Sequence, residues 1–286
     1  MTTLPVELIQ NIVRTALAED VGAGDITTEV SVPADMPGTA TIIAKELCVV
    51  AGLALVDAVF LELAGNVKLL VRDGAVVEDG QRVCEIAGPA RAILTGERTA
   101  LNFLQQLSGI ATLTRQFVEA VAGTKAQILD TRKTTPTLRL LEKYAVAAGG
   151  GTNHRLGLFD AVMIKDNHRL ILARLGSTAL AQAVATARHR QPDISVIIEA
   201  DTLADVEAAL AAGANHILLD NMSLDELREA VRLVAGRAKL EASGGVRLAT
   251  VRDIAETGVD YISVGALTHS ARAVDFSLEM TNTTGE

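Results

Sequence analysis

His216-Ile-Leu-Leu-Asp220, then the segment Ser223 to Ala235, then Lys239-Leu-Glu-Ala-Ser243-Gly244-Gly245, read as strand, amphipathic helix, strand. Each strand is short and apolar, and each stops on an acidic, hydroxyl or glycine residue. The same rhythm runs outward in both directions. Ala126-Gln-Ile-Leu stops at Asp130, Ala161-Val-Met-Ile at Lys165, Ile194-Ser-Val-Ile-Ile at Glu199, and Tyr261-Ile-Ser-Val at Gly265. Helices such as Leu203–Ala212 and Thr250–Glu256 lie between them. Apolar strands alternating with amphipathic helices predict a parallel sheet covered by helices. An open doubly wound sheet would place ligands only at a switch point. Here every strand has a polar or glycine end, which favours a barrel whose ends meet on one face. Six strands are fewer than eight. The expected fold class is therefore α/β, an incomplete six- or seven-stranded α/β barrel.

Before residue 113 the pattern differs. A helical period runs over Leu4–Glu19, and a glycine- and acid-rich loop over Glu19–Asp25, followed by an extended Thr/Val segment. Strand-like residues 38–51, a short helix 53–63 and two Asp-Gly turns, at Asp73 and Asp79, predict a small sheet with a helix or two. A long helical region, 93–122, carries Glu97, Arg98, Asn102, Gln105, Gln106 and Ser108, with Gly109 as a point where it could break. Amides and one Arg in an apolar helix suggest an interface or the wall of a site. The expected domains are an N-terminal α+β sheet domain, 1–112, and the barrel, 113–270. The tail, 271–286, returns to the first domain.

The chain has 286 residues, 49% of them hydrophobic, and a formal net charge of -9. A core is easily formed, and the acidic balance argues against non-specific nucleic-acid binding. Cys48 and Cys84 match no metal spacing and read as buried free thiols in a cytoplasmic protein. No apolar run predicts a membrane span, and no signal peptide is expected from the first residues.

Against this acidity, Arg132, Lys133, Arg139, Lys143, His154, Arg155 and Lys165 collect between two strand ends. Such a local cluster suits an anion. Thr135-Pro136 is expected to start a helix, with Arg139 and Lys143 on one face. Glu199 and Asp220 face these cations from neighbouring strand ends. They suit a divalent metal or sugar hydroxyls, with salt bridges as the plain alternative. Ser243-Gly244-Gly245 and Gly265-Ala266 close the last two strands, where backbone N–H groups can hold a phosphate. His189 reads as solvated and His216 as structural. These residues point to a substrate pair rich in carboxylate and phosphate, but they do not name a reaction.

Several motifs together resemble the quinolinate phosphoribosyltransferase family: Thr131-Arg-Lys-Thr-Thr-Pro136, Lys143-Tyr-Ala-Val146, Gly149-Gly-Gly-Thr-Asn-His-Arg155, Ile164-Lys-Asp-Asn-His168, Leu219-Asp-Asn221, Ser243-Gly-Gly245 and Val264-Gly-Ala-Leu-Thr268. Glu19-Asp-Val-Gly-Ala-Gly-Asp-Ile-Thr27 and Glu97-Arg-Thr-Ala-Leu-Asn102 resemble it too. Thr137 departs from the glycine common after the proline. The resemblance implies transfer of phosphoribosyl from 5-phosphoribosyl 1-pyrophosphate to quinolinate, with decarboxylation and with magnesium (Mg2+). It implies that Arg132, His154, Arg155, Lys165 and Arg139 hold the carboxylates and that Lys133 lies near the pyrophosphate. Glu199 and Asp220 would meet ribose hydroxyls and Mg2+; Ser243, Gly244, Gly245, Gly265 and Ala266 would cradle the 5-phosphate. Lys133, Lys165, Glu199 and Asp220 are the expected catalytic set. Arg98 would act in trans in a homodimer, or in a higher assembly. The alternatives are a related protein associated with molybdenum transport, which the Lys165 motif disfavours, a nicotinate-specific transferase, and a non-enzymatic anion-binding barrel.

Overall fold

The computed structural model describes residues 4–281. In chain order the elements are α1 (Val6–Val21), α2 (Ile26–Ser31), β1 (Pro37–Ala44), β2 (Cys48–Val49), α3 (Leu53–Glu62), β3 (Asn66–Leu69), β4 (Val76–Val77), β5 (Arg82–Pro89) and α4 (Ala90–Ala120). There follow β6 (Gln127–Leu129), α5 (Arg139–Ala148), β7 (Val162–Ile164), α6 (Asp166–Leu175), α7 (Ala179–Arg190), β8 (Val196–Ala200) and α8 (Leu203–Ala211). The last are β9 (His216–Asp220), α9 (Leu224–Val234), β10 (Lys239–Ser243), α10 (Val251–Glu256), β11 (Tyr261–Ser263), α11 (Ala266–His269) and β12 (Phe276–Thr281). The chain divides into two units. Unit 1 holds the residues through Arg115, the segment Thr135–Gly150 and the tail from Ser270; unit 2 holds Gln116–Thr134 and Gly151–His269.

Unit 2 contains one six-stranded parallel sheet in the order β6-β11-β10-β9-β8-β7. From β7 to β11 each strand pairs with the next in sequence, and β11 then pairs with β6. That is the cyclic order of a barrel with one pair absent, between β6 and β7. An isolated parallel bridge, Leu129 to Thr152, lies on the open side of β6. The incomplete barrel is therefore as expected, with all six strands running the same way. β8 is buried along its length, and Ala161, Ile197 and Leu218 pack inside with Met163. Helix starts follow from caps. Thr202 and Ser223 accept from the backbone of Asp205 and Glu226, whose carboxylates reach back, so α8 and α9 begin promptly after β8 and β9.

Unit 1 is built on a four-stranded antiparallel sheet, β12-β1-β5-β3, and a two-stranded one, β2-β4. The tail strand β12 lies along β1 from Ala44↔Phe276 to Thr39↔Thr281. This is the expected return of the tail, although residues 282–286 lie outside the described residues. Ile42, Leu55, Ile86, Ile93, Leu101 and Leu104 are buried, as are the rings of Phe60 and Phe276, so the buried side chains are mainly aliphatic. Cys48 and Cys84 are free and buried. Burial pushes their thiols up to about 11 and about 12, which leaves both inert as nucleophiles. Among the described residues no single helix is long and apolar enough to cross a membrane.

Four sequence expectations change. The segment after Asp25 is helical, because the Asp25 carboxylate accepts the Thr28 N–H at 3.0 Å and caps α2. Gly109 does not break α4. It lets the tail pass, since a Cβ there would collide with the Arg272 carbonyl oxygen. The segment Thr135–Gly150, expected in the barrel, is part of unit 1. Tyr144 donates its hydroxyl to Asp73 Oδ2 at 2.6 Å, and Arg115 donates Nε–H to the Gly149 carbonyl at 3.0 Å. The same Asp73 accepts the N–H groups of Gly52 and Leu53 and caps α3. Finally, Thr135-Pro136 starts a turn, and α5 begins only at Arg139. Leu138 N–H donates to the Thr135 carbonyl at 3.1 Å, and Thr137 takes φ 71°. Proline followed by a positive φ is a type II turn, whose third position favours glycine.

A β-branched residue in the left-handed region costs roughly 1–2 kcal/mol. Glycine there removes that strain but loses more entropy on folding, about 0.5–1 kcal/mol. We expect Thr137→Gly to raise the urea unfolding midpoint, by the equivalent of up to about 1.5 kcal/mol in unfolding free energy. A lower midpoint would contradict the strain at this turn.

Candidate active site

Because all strands of unit 2 are parallel, their C-terminal ends share one edge. Arg132 and Lys133 follow β6, Lys165 follows β7, Glu199 is near the end of β8, Asp220 ends β9, Ser243 ends β10 and Gly265 follows β11. Specific contacts knit these ends together. Lys165 Nζ lies 3.5 Å from Glu199 Oε2, and Glu199 Oε1 accepts the Asp166 N–H at 3.2 Å. Glu199 is buried, while half of the Lys165 side chain is exposed. Arg169 donates to the Glu199 carbonyl at 2.8 Å and to Asp201 at 3.0 Å, and pairs with Asp205.

On the neighbouring strand end, Asp220 accepts from the Asn221 amide at 2.7 Å, and Asn221 N–H donates to the Ser243 carbonyl at 2.9 Å. Gly244 has φ 99°, and a Cβ on it would collide with the Asn221 side chain. Gly245 has φ 59° and open space before it. The turn therefore needs glycine twice, once for room and once for conformation. Lys133 crosses to β11. Its carbonyl accepts from Thr268 Oγ1 at 2.7 Å, and its Cδ would lie 3.3 Å from a Cβ at Gly265. Gly265 thus keeps the space that the lysine stem uses.

The cationic loop is held from inside. Asp130 is fully buried and accepts from Asn153 Nδ2 and from the His154 N–H, both at 2.7 Å. Asp160 accepts the N–H groups of Leu156 and Gly157. Burial and the neighbouring Arg132 guanidinium lower the affinity of Arg155 for its proton, with Asp160 opposing them. The Nε of Arg132 is buried and has no hydrogen-bond partner among the described residues. A buried donor left unpaired costs about 1–3 kcal/mol, more when charged. Two guanidinium groups close enough to repel, one with an unused donor, form a site for a negative oxygen ligand.

Arg98 and Arg139 belong to unit 1, on α4 and at the start of α5; Arg98 is exposed and Arg139 half-buried. Lys143, grouped with the cations in the sequence, is buried in unit 1. What the sequence reading missed lies in the barrel interior. Glu241 is fully buried in the middle of β10. His154 Nε2 is 3.2 Å from its Oε2 and His216 Nε2 is 2.8 Å from the same oxygen, while Ser263 Oγ donates to Oε1. The His216 contact lacks hydrogen-bond direction, and the Tyr261 ring packs against that ring, tilted by 37° with centroids 5.4 Å apart. One signal was available in the sequence: a glutamate inside an otherwise apolar strand.

Burial raises the Glu241 pKa, but the two histidines outweigh it and hold the carboxyl down to about 2, from an ordinary 4.5. A depressed carboxyl pKa stabilises the fold above the unfolded value and loses that contribution as pH falls through the folded one. Stability should therefore fall between about pH 4.5 and pH 2, and Glu241→Gln should flatten that part of the curve. Urea midpoints measured across this range test it; an unchanged slope in the variant would refute it.

Known proteins can be compared with this geometry. Residues 25–108 match the model of the quinolinate phosphoribosyl transferase N-terminal domain, and residues 110–279 that of the C-terminal domain. A probable nicotinate-nucleotide pyrophosphorylase [carboxylating] of Bacillus subtilis is 43% identical over 267 residues, covering 92% of this chain and 90% of that one. The nicotinate-nucleotide pyrophosphorylase [carboxylating] of Mycobacterium leprae is 44% identical over 94% of this chain and 95% of its own. The solved nicotinate-nucleotide pyrophosphorylase of Francisella tularensis superposes with a TM-score of 0.91, at 39% identity and 98% coverage of both chains.

Proposed function

The chain belongs to the quinolinate phosphoribosyltransferase family, and from that premise we propose that it transfers phosphoribosyl from 5-phosphoribosyl 1-pyrophosphate to quinolinate. The products are nicotinate mononucleotide, pyrophosphate and carbon dioxide, a step of de novo NAD synthesis. The observation that carries the reading is the unpaired, buried Arg132 Nε beside Arg155. A pyridine dicarboxylate brings the anionic oxygens such a pair lacks.

In this reading Arg132, Arg155 and Lys165 receive the two carboxylates. His154, expected with them, has both ring nitrogens turned to the protein. Lys133 meets the pyrophosphate. The Ser243–Gly245 turn and Gly265-Ala266 receive the 5-phosphate through backbone N–H groups. Glu199 and Asp220 take the ribose hydroxyls. Mg2+ fits as a companion of the cosubstrate, because one or two carboxylates plus phosphate oxygens is its usual ligand set. Among the described residues no three acidic, histidine or cysteine side chains cluster into a metal site of their own. Glu199 and Asp220 would hold the ion together with the pyrophosphate, and it would supply positive charge for the leaving group.

The pyridine nitrogen donates its electron pair to the anomeric carbon as the bond to pyrophosphate breaks. The pyridinium so formed accepts the electrons of the bond to the adjacent carboxylate, which leaves as carbon dioxide, and a proton takes its place on the ring. No side chain needs to become covalently attached. The protein contributes position and fixed charge. The reading includes a cytoplasmic homodimer with Arg98 acting in trans. Two free thiols suit a reducing compartment. Leu158, Phe159 and Leu175, each more than 70% exposed in the single chain, offer apolar surface for a partner.

Protein mixed with quinolinate, phosphoribosyl pyrophosphate and Mg2+ should release carbon dioxide and nicotinate mononucleotide in equal amounts. Folded dimer that yields neither would sink the reading. Arg132→Ala should raise KM for quinolinate about 10- to 100-fold, the loss of charge-assisted hydrogen bonds of roughly 1.5–3 kcal/mol, and should move KM for phosphoribosyl pyrophosphate far less. Mixed dimers of Arg98→Ala and Lys165→Ala chains should regain part of the activity absent from either alone. No recovery would exclude the arginine in trans.

A further inference from the structure

Glu241 has no task in the reaction above, yet it is, with Asp130, a fully buried carboxylate of unit 2. Its carboxylate is anchored by Ser263 on β11 and faces His216 on β9 and His154 on the loop after Thr152. His154 is itself enclosed, with 8% of its side chain exposed. Its Nδ1 accepts the Arg155 N–H at 2.7 Å. A ring nitrogen that accepts a hydrogen bond carries no proton, so the proton of the neutral ring sits on Nε2, facing Glu241. Both nitrogens are thus engaged within the protein. Asp130 fixes the other side of the same residue, through the His154 N–H.

We propose that His154 is a positioning residue rather than a carboxylate ligand. Glu241, anchored by Ser263, selects the His154 tautomer, and His154 Nδ1 then holds the Arg155 backbone so that its guanidinium faces the substrate. The chain of contacts runs Ser263, Glu241, His154, Arg155 N–H, and only its last member reaches the ligand. The proposal rests on Arg155 being a ligand of quinolinate. It assigns the buried glutamate to substrate affinity and not to stability alone.

Two measurements test it, one without turnover. In protein labelled with 15N-histidine, the His154 ring should show an unprotonated Nδ1 and a protonated Nε2 at neutral pH. Glu241→Gln should disturb that pattern. Ser263→Ala, which removes only the anchor, should disturb it less and serves if Glu241→Gln does not fold. A protonated Nδ1 in the unaltered protein would overturn the proposal, as would an unchanged pattern in both variants. The second measurement is kinetic. His154→Asn keeps an acceptor near the Nδ1 position but has no cationic form. His154→Ala should raise KM for quinolinate about tenfold, the worth of one hydrogen bond of about 1.4 kcal/mol, and His154→Asn should recover most of that loss. If Asn is as damaging as Ala, His154 acts through its charge on the substrate and the proposal fails. A protein inactive on quinolinate would defeat the functional reading alone, since the nitrogen shifts still decide the tautomer.

Discussion

The parallel pairing of β6 with β11 is the constraint on which the arrangement of unit 2 depends. Gln127, Ile128 and Leu129 lie beside Tyr261, Ile262 and Ser263, and Val264 N–H donates to the Leu129 carbonyl at 2.9 Å. That ladder joins the first barrel strand to the last. Without it β6 and the loop after it would be detached from the other five strands. With it, the loop after β6 sits beside the turn after β11, and the Lys133 stem runs past Gly265. Basic loop and glycine turn, far apart in sequence, become one rim.

The rim is electrostatically unbalanced by design of the chain, not of any single contact. A protein of net charge -9 places Arg132 and Lys133 just after β6, Lys165 just after β7, and Arg155 on the loop before β7. The two acids of that rim are treated differently: Glu199 is buried beside Lys165, while Asp220 is partly open and bonded to Asn221. Such a division lets one acid steady the cations and leaves the other more available to a ligand. The local field draws anions to the rim while the rest of the surface repels them.

Much of this was legible in the sequence. Strand ends were readable because apolar runs of period-free composition stop at Asp130, Lys165, Glu199, Asp220 and Ser243, and the sheet preserves those stops. The return of the tail was legible because chain remains beyond the last barrel strand, but its pairing as a strand along β1 was not. What escaped involved backbone conformation or contacts between distant residues. The α2 helix hangs on one Asp25 carboxylate, and the delayed start of α5 on one positive φ at Thr137. Neither is a property of composition. The Glu241 cluster escaped for another reason. Its four members lie on β9, β10, β11 and a loop, and only the barrel's register brings them within 3.2 Å of a common carboxylate. Histidines that looked scattered along the chain converge because parallel strands stack like positions.

The tail strand β12 has a consequence for how the protein is made. Strand β1 lies between β5, which begins at Arg82, and β12, which the ribosome reaches only after the whole barrel. Until Thr281 has been synthesised, one edge of β1 from Thr39 to Ala44 has its backbone groups bare. An uncovered edge invites pairing with other chains, and domains generally fold in the order they emerge. Unit 1 is therefore begun first and finished last. A nascent chain carries an adhesive strand edge through the synthesis of its barrel, and a ribosome that stops before β12 releases a molecule whose barrel sequence is entire but whose first sheet still seeks a strand.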